Sequence, residues 1–170
     1  MAVTRLTPTA YVVLGLIEQM QPASPYDLKQ AVAQGVGQFW SLPHTQLYSE
    51  SARLAEAGLL SERREESGRR RRLYRLTKAG KEELDHWRGE PTGELYELRD
   101  AGLLKLFFGA DPKILAPPQL AAHTERLREY EELLEQCREM NAPAGVIHAV
   151  ECGIGHEREY VRFWTRLGGR

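Results

Sequence analysis

The sequence predicts a mainly α-helical chain with one small β-wing: an N-terminal winged helix-turn-helix unit followed by a C-terminal antiparallel helical dimerisation domain. Three observations carry this. Apolar residues recur at helical spacing through most of the chain. One stretch, 60–76, interrupts that period with two short alternating runs around Glu65-Glu66-Ser67-Gly68. Gly89-Glu90-Pro91-Thr92-Gly93 is the best linker in the chain and divides 1–89 from 90–170.

The elements follow in order. Ala10, Val13, Leu14 and Ile17 stand at i, i+3, i+4 and i+7, which predicts a helix over 7–20 with one buried face. Ser24-Pro25-Tyr26-Asp27 reads as a helix start, with Ser24 as N-cap, Pro25 at N1 and Asp27 placed to reach back in a capping box. That helix turns Leu28, Ala31 and Val32 inward and stops near Gly35 or Gly37; Phe39-Trp40 then reads as an aromatic plug. A third helix, begun by Ser41 or Pro43 and running to about Ala57, buries Leu47, Leu54 and Ala55, shows a small polar face and closes on Gly58 as C′. Strands over 60–64 and 71–76 make the wing, with Tyr74 and Leu76 inward, and Thr77 caps a fourth helix running to about Trp87. Three helices, a hairpin and a helix make a winged helix-turn-helix order.

The second half reads as all helix. Apolar spacing predicts one helix over 95–108, broken by Gly109-Ala110-Asp111-Pro112. Pro117-Pro118 then reads as the start of a long helix to about Asn141. Leu120, Leu127 and Leu134 fall at a positions and His123, Tyr130 and Cys137 at d, a short heptad seam. Pro143 starts a last helix whose wide apolar face includes Ile147, Val150, Ile154, Val161 and Trp164. That face exceeds what one short neighbour covers, so a second copy is expected on the dimerisation set Leu120, Leu127, Tyr130, Leu134, Ile147, Val150, Ile154, Val161 and Trp164.

The formal net charge of −1 hides a division. Residues 1–88 hold 13 basic against 10 acidic side chains, and the remainder 10 against 14. Within 62–78 the count is 8 against 3, and Arg69, Arg70, Arg71 and Arg72 stand in a row. Four consecutive arginines saturate both faces of a hairpin, and arginine is the better fork for phosphate and for a narrow minor groove. Glu65 and Glu66 can pair with some of them, but exposed pairs are weak, roughly 0–1 kcal/mol, and phosphate can displace them. A helix fits a major groove while a basic hairpin reaches the flanking backbone. The candidate double-stranded DNA contacts are Thr45, Gln46, Tyr48, Ser49 and Arg53 on the third helix, the four wing arginines, and Ser24 and Lys78 beside them. Gln46 suits adenine; Ser and Thr are permissive.

Other chemistries find little support. Cys137 and Cys152 make neither a zinc site nor a disulfide framework. In His156-Glu157-Arg158-Glu159-Tyr160, Tyr160 stands where a zinc helix needs its second His. There is no Gly-rich phosphate loop and no nucleophile with a nearby base, so neither an enzyme nor a cofactor or metal is expected. The opening residues carry no basic stretch ahead of an apolar one, and no apolar run approaches the ~20 residues of a membrane span, so a cytoplasmic location is expected. Trp40, Trp87 and Trp164 are candidates for an aromatic ligand pocket, set against plain core.

The ordered set of segments resembles the PadR family of bacterial winged-helix regulators. The residues that carry the likeness are Tyr11-Val-Val-Leu-Gly-Leu-Ile17, Ser24-Pro-Tyr-Asp-Leu28, Gln46-Leu-Tyr48, Arg53-Leu54, Ala57-Gly-Leu59, Leu73-Tyr-Arg-Leu-Thr77 with Gly80, Leu98-Arg-Asp100 and Leu103-Leu-Lys-Leu-Phe-Phe-Gly109. The resemblance implies a homodimer with interlocked C-terminal helices, a palindromic operator, repression, and release by a small molecule, often aromatic or phenolic. The chain departs from the family pattern at Ser49, Ser51 and Ala52. The missing basic residue at 52 throws more phosphate binding onto the wing. The alternative is a protein-interaction module on the same scaffold, without specific DNA binding.

Overall fold

The computed structural model describes residues 6–66 and 70–169. Two compact units emerge, Met1–Glu94 and Leu95–Arg170. The first holds α1 (Pro8–Met20), α2 (Pro25–Gln34), a short 3-10 turn (Val36–Gln38), α3 (His44–Glu56), β1 (Leu60–Arg64), β2 (Arg72–Leu76) and α4 (Lys78–Gly89). The second holds α5 (Ala101–Phe107), α6 (Pro112–Glu139) and α7 (Ala144–Gly168). No helix among the described residues is long and apolar enough to cross a membrane.

In the first unit the apolar stripes meet as their spacing requires. Ala10, Val13, Leu14 and Ile17 of α1, Leu28 of α2, and Leu47 and Leu54 of α3 are fully buried, joined by Tyr74 of the wing and Leu84 of α4. The Thr7 hydroxyl caps α1 by accepting from the Ala10 N–H. Ser24 and Asp27 form the expected reciprocal capping box. Leu54 C=O accepts from the Leu59 N–H, and Ala55 C=O from the Gly58 N–H, with Gly58 at φ +74°. This paired closure satisfies orphan carbonyls at the end of α3 and needs a left-handed residue. Thr77 joins two elements: its hydroxyl donates to Gly58 C=O at 2.8 Å and accepts from Gly80 N–H at 3.0 Å. A Cβ on Gly80 would stand 2.1 Å from the Leu59 carbonyl oxygen, so α4 approaches that turn as closely as only glycine permits.

The wing is an antiparallel pair with Leu60 opposite Leu76, Glu62 opposite Tyr74 and Arg64 opposite Arg72. Ala23 and Tyr74 exchange both backbone hydrogen bonds, Tyr74 N–H to Ala23 C=O at 2.8 Å and Ala23 N–H to Tyr74 C=O at 3.1 Å. The hairpin is thereby fixed to the residue that precedes the α2 cap.

One expectation fails in this unit. Phe39 and Trp40 do not plug the core; both are exposed. The core is already filled by Leu28, Val32, Leu42 and Leu47.

In the second unit the expected helix over 95–108 shortens to α5. Leu95–Asp100 is not helical, because the Asp100 carboxylate accepts from Leu103 N–H and starts the helix there. α6 begins at Pro112 under an Asp111 cap and runs through Pro117 and Pro118. Both prolines lie within the second turn, where each removes one backbone donor without ending the helix. α6 ends in the same paired closure as α3: Ala142 N–H to Cys137 C=O at 2.8 Å, Asn141 N–H to Arg138 C=O at 3.1 Å, and Asn141 at φ +51°. α7 then folds back along α6.

The heptad seam packs inside the chain. Tyr130, Cys137, Val150 and Ile154 form one buried cluster, with Leu127, Leu134, Val146 and Ile147 against it. His123, at a d position, meets Glu157 of α7 at 2.6 Å. Of the expected dimerisation residues, Tyr130, Val150, Ile154 and Trp164 are therefore buried within a single copy. Periodicity marks a face that must be covered and is silent on whether the cover comes from the next helix or another chain. Leu120, Leu127, Leu134, Ile147 and Val161 remain partly exposed.

Candidate nucleic-acid interface

α3 places Thr45, Gln46, Tyr48, Ser49 and Arg53 on the surface, while Leu47, Ser51 and Leu54 face the core. The buried Ser51 hydroxyl donates to Leu47 C=O at 2.7 Å, so it is satisfied within the helix. Thr9 of α1 donates to the Gln46 amide oxygen at 3.4 Å, a long bond that leaves the amide free to exchange partners. Ser49 folds its hydroxyl back onto Thr45 C=O at 3.3 Å. Arg53 is engaged: its Nε and Nη2 reach Glu50 at 3.0 and 2.6 Å, and this hydrogen-bonded pairing raises the guanidinium pKa. Tyr48 projects half exposed beside them.

Ser24 does not join this surface. It is 2% exposed, and its hydroxyl both donates to Asp27 Oδ2 at 2.7 Å and accepts from Asp27 N–H. A residue spent on a cap has no hydroxyl left for a base or phosphate. Burial pushes the Asp27 carboxyl up, but the Ser24 amide and hydroxyl, with Arg71 nearby, hold it below the ordinary aspartate range.

The wing carries positive charge on both faces, Arg64 and Arg72 on one and Arg63 and Arg75 on the other. Arg69 lies outside the described residues. Arg70 sits in the turn at φ +46°. Arg71 makes a fork with Glu65, Nε at 3.0 Å and Nη2 at 2.8 Å, which draws the Glu65 carboxyl down. Arg72 and Arg64 stand opposite one another across the strands, each with its Nε 3.5 Å from Glu62 Oε1. Lys78 is almost fully exposed at the start of α4. Arg63 and Arg75 occupy the other face, flanking a shallow hollow with Pro22, Ser61 and Leu73. Arg63, Arg64 and Arg75 were missed as candidates. The strand alternation that orients Arg72 marks them equally, once the register is known.

A second feature lies on the same unit. Tyr11 and Trp87 stack with centroids 4.5 Å apart and planes 9° from parallel, and the Tyr11 hydroxyl donates to Glu83 at 2.9 Å. Beside them Val12, Leu16, Phe39 and Trp40 line an apolar groove of about 290 Å³. Trp40 and Trp87 of the expected ligand set are thus brought together. Trp164 is not among the lining residues; it belongs to α7 and is fully buried, and its indole N–H has no hydrogen-bond partner among the described residues.

Residues 13–86 match the model of the transcriptional regulator PadR-like family. The chain carries a PadR-like domain. A curated relative, the negative transcriptional regulator PadR of Bacillus subtilis, is 34% identical over 102 residues. That stretch covers 58% of this chain and 54% of the relative, so the match spans about half of the relative's length. The fold extends further. The crystal structure of Bacillus subtilis PadR in complex with operator DNA superposes with a TM-score of 0.84 at 23% identity, covering 97% of this chain and 98% of that one. The same protein in complex with p-coumaric acid gives 0.76 at 23% identity, covering 94% and 96%. At this identity the likeness establishes the fold: a PadR-like winged helix followed by a helical second unit.

Proposed function

We propose that this chain is a DNA-binding transcriptional regulator, a repressor that sits on a palindromic operator as a homodimer and leaves it when a small aromatic molecule binds. The observation that carries this reading is the pairing of an exposed polar face on α3 with an arginine hairpin in one unit. A major-groove helix needs side chains free to reach base edges, and its flanking hairpin needs charge that phosphate can capture. The family match supports the regulator role, and the relative crystallised with operator DNA supports the partner. The groove beneath Trp40 and Trp87 is apolar, concave and aromatic, which suits a flat ring; the relative crystallised with p-coumaric acid supports that class of effector. The operator reading carries with it a cytoplasmic location. The dimer interface involves the half-exposed members of the expected set, Leu120, Leu127, Leu134, Ile147 and Val161.

The test is an anisotropy titration of the chain against duplex from its own promoter region across a salt series. Arg70→Ala with Arg71→Ala should weaken specific and nonspecific binding together and flatten the slope of log K on log salt by ~1–2 units per monomer. An unchanged slope would overturn the wing assignment. Absence of any salt-dependent binding would favour a protein-interaction module. Repeating the titration with p-coumarate present should weaken operator binding if the groove is the effector site.

A further inference from the structure

The wing contains an arrangement that net charge does not explain. Glu62, Arg64, Arg72 and Tyr74 lie on one face of the hairpin, Glu62 opposite Tyr74 and Arg64 opposite Arg72. Two like charges directly opposite in an antiparallel pair repel, with Cβ atoms ~4.5–5.5 Å apart. Here one carboxylate lies between them. Glu62 Oε1 is 3.5 Å from the Nε of each arginine, and Glu62 Oε2 accepts from the Tyr74 hydroxyl at 3.2 Å. Tyr74 is itself anchored: its ring is buried and its backbone is bonded to Ala23 on the far side. The Glu62 side chain is only a quarter exposed, whereas the arginines lie about half and two-thirds exposed. The order runs from fixed to free: core, tyrosine, glutamate, two guanidiniums.

We propose that Glu62 is a positioning residue for DNA, aligning Arg64 and Arg72 as a two-guanidinium clamp for one backbone phosphate. This rests on the regulator reading. The carboxylate approaches the Nε side of each guanidinium, the Tyr74 hydroxyl also engages Arg72, and a phosphate would be met by the guanidinium nitrogens that these contacts do not use. A phosphate has enough oxygens to meet both forks, and planar bidentate contacts of this kind are what arginine supplies and lysine does not. The bridge keeps a net charge of +1 while removing the repulsion that would splay the two side chains. Ordering them before DNA arrives lowers the entropy lost when they bind.

Charge and positioning give opposite signs for one substitution. Glu62→Gln adds one unit of positive charge to the wing, so charge alone calls for tighter operator binding and a steeper salt slope. A positioning role calls for weaker binding, by roughly three- to tenfold, the worth of about one net hydrogen bond. In an Arg64→Ala, Arg72→Ala background the same Glu62→Gln change should weaken nothing, because there is no pair left to align. Tyr74→Phe leaves the net charge unchanged, removes the hydroxyl that holds both the Glu62 carboxylate and the Arg72 guanidinium, and should weaken binding in the same direction by a smaller factor. It serves as the second variant if Glu62→Gln lowers the melting temperature. Equal or tighter binding by both variants would overturn the clamp while leaving the regulator reading intact. A wild-type chain without salt-dependent duplex binding would overturn that reading, and the clamp with it.

Discussion

Ser24 and Asp27 illustrate how a residue's chemistry is consumed by its neighbours. The Ser24 amide donates to Asp27 Oδ2 at 2.8 Å, and the two side chains complete the cap of α2. Ser24→Ala should cost about 0.5–2 kcal/mol in denaturant unfolding, the usual worth of an N-cap. It should change operator affinity little. The pH dependence follows from the sign of the Asp27 shift. Its folded carboxyl is held below the ordinary aspartate range, so its contribution is complete above that range and is lost as pH falls through the lower folded value. Asp27→Asn should therefore remove part of the acid-side loss of stability, read from melting temperatures between about pH 6 and 2. The cap was legible in the sequence because Ser-Pro-x-Asp is a local signal. That the cap would bury Ser24 and withdraw it from DNA was not legible, because burial depends on the wing strand that Ala23 joins.

Among elements, the α6–α7 hairpin shows how one missing side chain sets a helix contact. A Cβ on Gly153 would lie 2.8 Å from the Tyr130 ring, closer than packed carbons come. Gly155, two residues on, has nothing within 4 Å. Alanine gains up to ~1 kcal/mol of helix propensity at either position. At 153 the gain should be outweighed by overpacking of about 1–3 kcal/mol, so Gly153→Ala should destabilise while Gly155→Ala stabilises. Urea unfolding of the two variants checks the pair, and equal effects would contradict the packing. The sequence marked α3 accurately through Pro43, Leu47, Leu54 and Gly58, since start, stripe and stop agree there. It misjudged α5 and the start of α6. Leu95 and Leu98 match a helical period yet stay exposed outside a helix, and two prolines read as a beginning stand inside the second turn. Apolar spacing fixes a face only where something packs on it.

Across the whole molecule, the charge division leaves a small basic excess in residues 1–88 and an acidic excess in the remainder. Such a distribution steers the basic hairpin toward a polyanion while keeping the chain near neutrality. The apolar residues divide less obviously. Much of the surface that the sequence assigned to a partner copy is covered by α6 and α7 themselves, while Phe107 and Phe108 remain 84% and 77% exposed at the end of α5. The expectation of a dimer rests on the excess of apolar surface that the sequence shows. Which residues a second copy would cover is not readable, because the inward faces of a helix hairpin and of a dimer have the same periodicity.

The two-bond junction between Ala23 and Tyr74 has a mechanical consequence. A hairpin held only by its own turn would swing as a free arm; this one is riveted at mid-strand to the residue before α2. Arg64 and Arg72 lie beyond that point, and Tyr74 is their fulcrum. A force applied at the wing would reach α2 without passing through α3. Amide exchange should show this directly: the N–H groups of Ala23 and Tyr74 should be protected to nearly the depth of the core, while those of Glu66 and Arg70 exchange fast.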